Sequence, residues 1–514
     1  MPGSFRRISG ASFAYNNQDS VVSWWLMLKK FRFSFAKLVL GLALIGLAVQ
    51  FGFSLWTYAR LAGAALSFPY PLDYGEGPLL DQTLRLADGE NIYKNDFSVP
   101  PYTISNYPPL FLLLQVPFAK IFGPAFWYGR LISILGQLLT AVFIGLTLWT
   151  LTGDRVSPAV GGLIFLAFPY GQYWSTLNRI DLLALVLSWA ALFVIVRWAD
   201  RRWGVYAGAA LLVLSIYTRQ SYALAAPFGA FVWLLASRRW RKAVYLALLT
   251  GGVALGLFLV VNLWTRGGFF LNIVTANVNP FYWNTVRWNM EELGRNAYLL
   301  AALIAVFLLA ERFTNRTRSW LLALPYLAAA GLSALTIGKD GSNVNYLLEL
   351  AAAIAFAAGA ALAWMNRSVW VRVLAVAVLA AQVWMLNAWV QENFVGRIME
   401  RVKHEGAVAA LFRKVSETEG TVLADEFMGL VPLAGKRLYY QPFEFKMLAE
   451  GGVWDETEFL SSIADGKFSL ILWYQPPDWP AIESRWTARQ RELIQNYYTR
   501  DGAYEFTSIL RPKK

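Results

Sequence analysis

Two carboxylates three positions apart are the residues of this chain best suited to chemistry. Asp73 and Glu76 stand in the stretch Asp73-Tyr74-Gly75-Glu76-Gly77-Pro78, just after the first long hydrophobic segment. Ionisable side chains at a membrane are costly unless they are used. A carboxylate held there can take a proton from a hydroxyl group as a general base. The alternative is a solvated turn in which the glycines supply left-handed backbone. We treat Asp73 and Glu76 as the candidate catalytic pair.

Three other segments place charged or amide side chains beside hydrophobic stretches. They are Asn178-Arg179-Ile180-Asp181, Tyr217-Thr218-Arg219-Gln220 and the run from Lys339 to Glu349. Gathered in one pocket, their cations would neutralise a phosphate group while a carboxylate activates a hydroxyl. The residues predicted to bind a donor phosphate are Arg179, Arg219 and Lys339, and those predicted to bind substrate are Tyr74, Tyr107, Asp181, Gln220, Asn343, Asn345 and Glu349.

Each of these segments also has a purely structural interpretation. Arg179 and Asp181 can form a local ion pair at a helix start. Arg219 can extend its guanidinium to lipid headgroups, as arginines at span ends often do. Lys339 can belong to a plain turn, although the polar residues after it continue into a membrane helix, where ionisable groups usually have a function.

Composition places the chain among membrane proteins. Of its 514 residues 57% are hydrophobic and only 15% are charged. The charged fraction is far below the roughly one quarter that is typical of a soluble domain. The net charge of +13 comes from short basic clusters between apolar stretches, a pattern that favours cytoplasmic anchoring and disfavours nucleic acid as a partner. With no cysteine and one histidine, His404, a cysteine- or histidine-based metal site is excluded. No cofactor is predicted, and dependence on a divalent metal stays open.

The basic clusters also predict a topology, because positive residues between spans lie in the cytoplasm. The prediction is a mainly α polytopic bundle of about eleven spans, near 38–59, 127–151, 158–176, 180–198, 204–217, 219–236, 243–264, 296–310, 320–337, 346–364 and 370–391. Residues 1–36 form a cytoplasmic N-terminal segment and 37–395 the transmembrane domain. This places the loop 60–126, with its carboxylates, on the outer face. The 204–217 and 219–236 spans are joined so closely that a broken or tightly hairpinned pair is expected.

Two further segments complete the predicted architecture. The apolar run 110–122 has 13 residues, starts after two prolines and contains Pro117, so it predicts a re-entrant or interfacial helix because a span needs about 20 residues. Residues 400–514 regain charge and turn residues and predict a small extracytoplasmic α/β domain. Its helix is expected near 405–415 and its strands at 421–423, 437–441, 468–473 and 504–510.

The first outer loop resembles that of the polytopic GT-C glycosyltransferases. The likeness is carried by the paired acids, by Glu90-Asn91-Ile92-Tyr93, by Asn106-Tyr107-Pro108-Pro109-Leu110 and by Gly129-Arg130-Leu131. It is strongest toward the bacterial branch related to protein O-mannosyltransferases and lipid A aminoarabinose transferases, over about residues 38–240. The resemblance implies a polyprenyl-phosphate sugar donor and an essential acid in this loop. Such enzymes usually carry adjacent Asp and Glu, whereas here Gly75 precedes Glu76, so the base is either Asp73 or Glu76.

The resulting hypothesis is a multi-pass enzyme of the cell membrane, an inverting glycosyltransferase that acts on its outer face. Asp73 or Glu76 deprotonates an acceptor hydroxyl of a glycan, lipid or protein, which then attacks a sugar linked to polyprenyl phosphate. Two other classes are weighed against it. A transporter or flippase of lipid-linked sugars predicts internal repeats and mid-bilayer charges, and a non-catalytic scaffold predicts no bound prenyl phosphate.

Overall fold

A computed structural model describes residues 17–277, 279–477, 480–504 and 506–513. Apolar runs longer than about 18 residues form helices in a membrane, because lipid offers backbone groups no hydrogen-bond partner. The first half of the chain contains the helices α1 (Asn17–Ser67), α2 (Glu76–Ala87), α3 (Leu110–Phe122), α4 (Trp127–Thr152), α5 (Ser157–Ala167), α6 (Pro169–Trp174), α7 (Asp181–Arg197), α8 (Arg202–Ile216), α9 (Ala225–Ala236) and α10 (Trp240–Trp264).

The second half continues the bundle and then leaves it. The bundle is completed by α11 (Gly268–Ile273), α12 (Trp283–Thr314), α13 (Trp320–Ala334), α14 (Leu348–Trp364) and α15 (Val369–Asn393). The C-terminal part contains the helices α16 (Val395–Lys403), α17 (Glu405–Glu417), α18 (Leu430–Leu433), α19 (Pro442–Glu450), α20 (Thr457–Ala464), α21 (Ala481–Arg485) and α22 (Ala488–Tyr497), and the strands β1 (Thr421–Ala424), β2 (Phe468–Tyr474), β3 (Tyr498–Tyr504) and β4 (Thr507–Pro512).

The chain is therefore mainly helical and spans the membrane several times, as predicted. In the described part of the chain, 7 helices are long and apolar enough to cross a bilayer. Each of the eleven predicted spans overlaps a helix, but several of these helices are short, so the number eleven stays a prediction. The span predicted over 158–176 is two helices, α5 and α6, broken at Phe168 and Pro169. Proline lacks the amide hydrogen that would continue α5.

The two short elements singled out by the sequence also form helices. α3 covers the apolar run 110–122, and its exposed Ile121 and Phe122 leave an apolar surface uncovered. α8 and α9 are joined by a turn and a single 3₁₀ turn, Gln220–Ala223. Arg239, after α9, forms an ion pair with Asp200, before α8, at 2.8 Å. The two helices thus make a hairpin whose tip is the segment that contains Arg219.

The C-terminal part is a small α/β domain on a four-stranded sheet of order β1-β2-β4-β3. β1 is parallel to β2, and the other neighbours are antiparallel. Two strand predictions were wrong. Residues 437–441 form no sheet strand and instead pair with the loop 60–126, called the outer loop after its predicted position, since the Tyr102 amide donates to the Tyr439 carbonyl at 2.6 Å. The segment 504–510 crosses the β3–β4 turn, so its residues belong to two strands and not to the single strand predicted.

This domain is docked on the outer loop that follows α1. The Leu438 amide donates to Asp81 of α2 at 3.1 Å, and Arg437 forms an ion pair with Glu90. At the closest approach, a β-carbon added to Gly77 would lie 2.6 Å from the Gly429 backbone nitrogen. Glycine is required at this contact because α2 and the segment before α18 meet backbone to backbone.

Candidate active site

The outer loop, the bundle and the C-terminal domain enclose a polar cavity of about 400 Å³. Most of the residues singled out from the sequence line it. The predicted residues in its wall are Asp73, Tyr74, Tyr107, Arg179, Lys339, Asn343 and Asn345. Glu76, Asp181, Arg219, Gln220 and Glu349 lie outside this wall. Three of the four segments singled out from the sequence thus meet around one cavity, and the 217–220 segment does not line it.

Asp73 and Arg179 form the charged pair in the wall. The Asp73 carboxylate accepts hydrogen bonds through Oδ1 from the Gly75 amide at 3.0 Å and from the Arg179 guanidinium. Both side chains are mostly buried, with 16% and 15% exposed. Among the described residues Oδ2 of Asp73 has no hydrogen-bond partner. Burial raises the pKa of Asp73, while Arg179 lowers it in opposition. One carboxylate oxygen therefore stays available for a substrate hydroxyl.

Glu76 is fully buried and takes part in the architecture of the site. Its side chain and that of Arg130 are both 0% exposed, and they form a bidentate pair at 2.9 and 2.8 Å. Glu76 also accepts from the backbone amides of Leu72 and Asn178, each at 2.7 Å. Arg130 in turn donates to three backbone carbonyls at the end of α1 and just after it. Glu76 thus ties α1, α2, α4 and the start of the Arg179 segment together, and each of its oxygens already accepts two hydrogen bonds.

Lys339 lies where the polar cavity meets a second, apolar one. The second cavity has a volume of about 620 Å³ and shares Asn277, Asn279 and Lys339 with the first. Its wall is otherwise mostly apolar and includes Phe258 and Leu255, which is 60% exposed at the surface of the bundle. In the described residues Lys339 has no ion-pair partner, and its ammonium donates only to the Asn277 carbonyl at 3.2 Å. An available cation therefore stands between a polar and an apolar compartment.

Asp181 and Arg219 lie behind the wall and hold it in place. They form a buried ion pair with each other. Asp181 also accepts from Trp174 Nε1 at 2.6 Å and from Asn345 Nδ2 at 3.0 Å, and both of these side chains line the cavity. Arg219 lies over the ring of Tyr346, 4.5 Å from its centroid. The Arg219 charge is thus neutralised by Asp181. The pair does not line the cavity itself but contacts side chains that do.

The remaining predicted residues take different places. Glu349 is buried below the cavity and accepts from Ser333 at 3.1 Å. Gln220 donates to the Asn106 carbonyl at 2.9 Å and lines the apolar cavity. Asn343 caps the 3₁₀ turn that leads into α14 through the Val344 amide. In the described residues no group of three His, Cys, Asp or Glu side chains comes together as a metal-ligand set.

The C-terminal domain supplies a wall of the cavity that the sequence did not reveal. Its contributions are Gln441, Phe443, Glu444, Ser484 and Arg485. Tyr74 donates to Glu444 at 2.8 Å and accepts from the Phe443 amide at 3.1 Å. Arg485 lies 4.4 Å above the Tyr74 ring. Burial raises the pKa of Glu444.

Trp174, Asn277 and Asn279 were also missed, and all three line the cavity. The two asparagines belong to an Asn-rich loop after α10, between the spans predicted over 243–264 and 296–310, so its composition offered a signal for them. None of the C-terminal residues had such a signal, because their contact with the cavity depends on how the domain docks.

Comparisons with known proteins agree with this architecture. Residues 106–264 match the family model described as dolichyl-phosphate-mannose-protein mannosyltransferase. The fold is similar to that of ArnT from Cupriavidus metallidurans in the apo state, with 14% identity, a TM-score of 0.59 and coverage of 91% of this chain and 97% of that one. The same ArnT bound to undecaprenyl phosphate matches with 16% identity, a TM-score of 0.58 and coverage of 91% and 98%.

A more distant match is the archaeal oligosaccharyltransferase AglB from Archaeoglobus fulgidus, with 12% identity and a TM-score of 0.47 over 82% of this chain and 69% of that one. Curated protein sequences gave no match. The ArnT matches confirm the predicted fold: this is a multi-pass membrane protein with an ArnT-like fold of the GT-C type, and residues 106–264 match the mannosyltransferase family model.

Proposed function

We propose that the chain is an integral-membrane glycosyltransferase that moves a sugar from a polyprenyl-phosphate donor to an acceptor hydroxyl on the outer face of the cell membrane. The observation that carries this proposal is the position of Lys339 between an apolar and a polar cavity. A lipid-linked sugar has the same order of parts, with an apolar chain, a phosphate and a polar sugar. That ArnT has been described with undecaprenyl phosphate bound supports the same ligand class.

In this arrangement the prenyl chain occupies the apolar cavity and reaches the lipid past Leu255. The Lys339 ammonium neutralises the phosphate that leaves with the lipid, which lowers the cost of separating it from the sugar. The sugar lies in the polar cavity among Asn343, Asn345 and the carboxylate of Glu444. Hydrogen-bonding groups on several sides suit a ring with many hydroxyls.

Asp73 is the proposed base. Its available Oδ2 takes the proton of the acceptor hydroxyl, and the oxygen attacks the anomeric carbon as the bond to the lipid phosphate breaks. Attack opposite the leaving group in a single displacement inverts the configuration. Arg179 favours the ionised form of Asp73, against the effect of burial, and fixes its orientation. Glu76 keeps the loop in place and takes no part in proton transfer, because its oxygens are already committed to Arg130 and backbone amides. The reaction so described uses no metal and no cofactor.

The test is sugar transfer by the purified full chain from a panel of radiolabelled polyprenyl-phosphate sugars, with release of polyprenyl phosphate as a second readout. Asp73→Asn is expected to lower kcat by about 10²-fold or more while the protein still folds, because the asparagine Oδ1 can still accept from the Gly75 amide and from Arg179. Lys339→Met is expected to raise KM for the donor. Lys120→Met removes a charge from exposed α3, outside both cavities, and serves as the control.

Glu76→Gln gives the contrasting result. It leaves the buried Arg130 charge without its partner, so it is expected to destabilise the fold by about 3–5 kcal/mol and to lower the yield of folded protein along with activity. Full activity of Asp73→Asn would overturn the assignment of the base, and no transfer from any polyprenyl donor would overturn the function.

A further inference from the structure

A second large polar cleft lies at the opposite end of the bundle. It has a volume of about 850 Å³ and is lined by the ends of α4, α7, α9 and α12 and by the start of α13. α7 begins at Asp181 beside the candidate active site and runs 17 residues away from it, a distance of about 25 Å at 1.5 Å per residue. The two sites are therefore separate.

Four arginines from two regions line this cleft: Arg238 and Arg239 lie between α9 and α10, and Arg312 and Arg318 lie at the end of α12 and just before α13. Arg239 is paired with Asp200 at 2.8 Å. In the part of the chain that the structure describes, the other three form no ion pair. The cleft therefore contains three arginines that have no ion-pair partner among the described residues.

The nearest carboxylate of α12 is directed to the backbone. Glu311 is buried and accepts through Oε1 from the Thr317 amide at 2.5 Å and the Arg318 amide at 3.1 Å. Thr314 donates to its other oxygen at 2.7 Å. Glu311 thus shapes the turn that presents Arg318 and forms no ion pair with it. Arg238 and Arg318 both have a positive φ, of 58° and 54°, a conformation that costs energy for residues other than glycine.

The lining between the arginines is apolar and aromatic. Leu151, Val196 and Leu321 contribute aliphatic surface, and Trp233 and Trp320 contribute indole rings. Tryptophan is enriched at the level of lipid headgroups. A free inorganic anion cannot pack against such an apolar surface. The glycerol and upper acyl carbons of a lipid can. The volume also far exceeds that of a single phosphate ion.

We propose that this cleft binds the phosphate group of an anionic phospholipid, with the guanidinium groups on the phosphate and the glycerol backbone on the apolar lining. Basic residues at the cytoplasmic ends of spans are common and need no cleft. Here, however, arginines before α10, at the end of α12 and before α13 converge on one cavity of headgroup size. The proposal is independent of sugar transfer.

The experiment compares lipid retention by the full chain in native mass spectrometry, with dioleoyl phosphatidylglycerol and dioleoyl phosphatidylcholine added at equal concentration. The cleft variant is Arg238→Gln/Arg312→Gln/Arg318→Gln. The control Arg201→Gln/Arg241→Gln/Arg316→Gln removes the same charge from exposed arginines that do not line the cleft. Phosphatidylglycerol is expected to bind the cleft variant about tenfold more weakly or worse, a loss of about 1.4 kcal/mol or more, and to bind the control as it binds the natural chain.

Equal losses in both variants, or no preference for phosphatidylglycerol, would overturn the site. A competition with inorganic phosphate separates the two sources of a phosphate group. Retention of the lipid in excess phosphate supports the proposal, whereas its displacement overturns the assignment to a lipid. Matching unfolding temperatures of the two variants establish that both are folded.

Discussion

Asp73 and Glu76 are indistinguishable by residue type, and the structure separates them by their partners. Glu76 is saturated by Arg130 and backbone amides, whereas Asp73 faces a cavity. The sequence predicted both as candidates for the base, in one loop. It could not rank them, because Arg130 is 54 residues from Glu76 in the chain. Gly75 leaves room for the Arg179 guanidinium beside Asp73. A β-carbon at position 75 would lie 2.0 Å from that guanidinium, so a larger residue would require the Arg179 side chain to move.

The pH dependence of transfer follows from Asp73 at the same scale. Burial raises its pKa and Arg179 lowers it, with a net increase. A base works only when ionised, so activity should rise with pH through this pKa and fall as the pH drops below it. Arg179→Met removes the cation that favours the ionised form of Asp73. The acidic limb of the pH profile of kcat/KM should therefore move to higher pH.

The measurement is kcat/KM from pH 5 to 9 for both proteins. Arg85→Met, an arginine of α2 outside the cavity, is the matched control and should leave the limb in place. A limb that stays fixed in Arg179→Met, or moves to lower pH, would contradict the assignment of Asp73.

At the scale of elements, the long helices could be predicted because their apolar runs are set by membrane thickness. α3 and the α8–α9 hairpin were also foreseen, since length and flanking charges revealed them. The strand predicted over 437–441 failed because its partner is Tyr102 in the outer loop and no neighbouring strand. β propensity reports that a segment pairs well, and it does not identify the partner.

The contact between α2 and the C-terminal domain gives a prediction at this scale. Gly77→Ala would place a methyl group 2.6 Å from the Gly429 nitrogen, where only backbone movement can make room. Crowding of this kind costs about 1–3 kcal/mol, so the unfolding temperature should fall and the C-terminal domain should become more sensitive to protease. Gly294→Ala, in α12 with nothing within 4 Å, is the control and should not be destabilised. An unchanged unfolding temperature in Gly77→Ala would show that this contact does not hold the domain.

For the whole molecule, the cavity is complete only when the C-terminal domain docks on the outer loop. Tyr74 of the loop contacts Glu444, Phe443 and Arg485 of that domain. The bundle side of the site could be predicted from the clustering of polar residues at the ends of spans. The domain side could not, since hydrophobic periodicity carries no information on how two folded units meet.

The orientation of the whole molecule in the membrane is predicted from its two ends. The cavity and the C-terminal domain lie at one end of the bundle and the arginine cleft at the other, and the positive-inside rule assigns the arginines to the cytoplasm. The chain has no cysteine, so a single introduced cysteine is the only thiol of the protein that a maleimide can label. Glu458→Cys in α20 and Arg241→Cys in α10 both replace exposed residues. A membrane-impermeant maleimide added to intact cells should label the first at once and the second only after permeabilisation. The reverse order of labelling would show the opposite membrane orientation and would place sugar transfer on the cytoplasmic face.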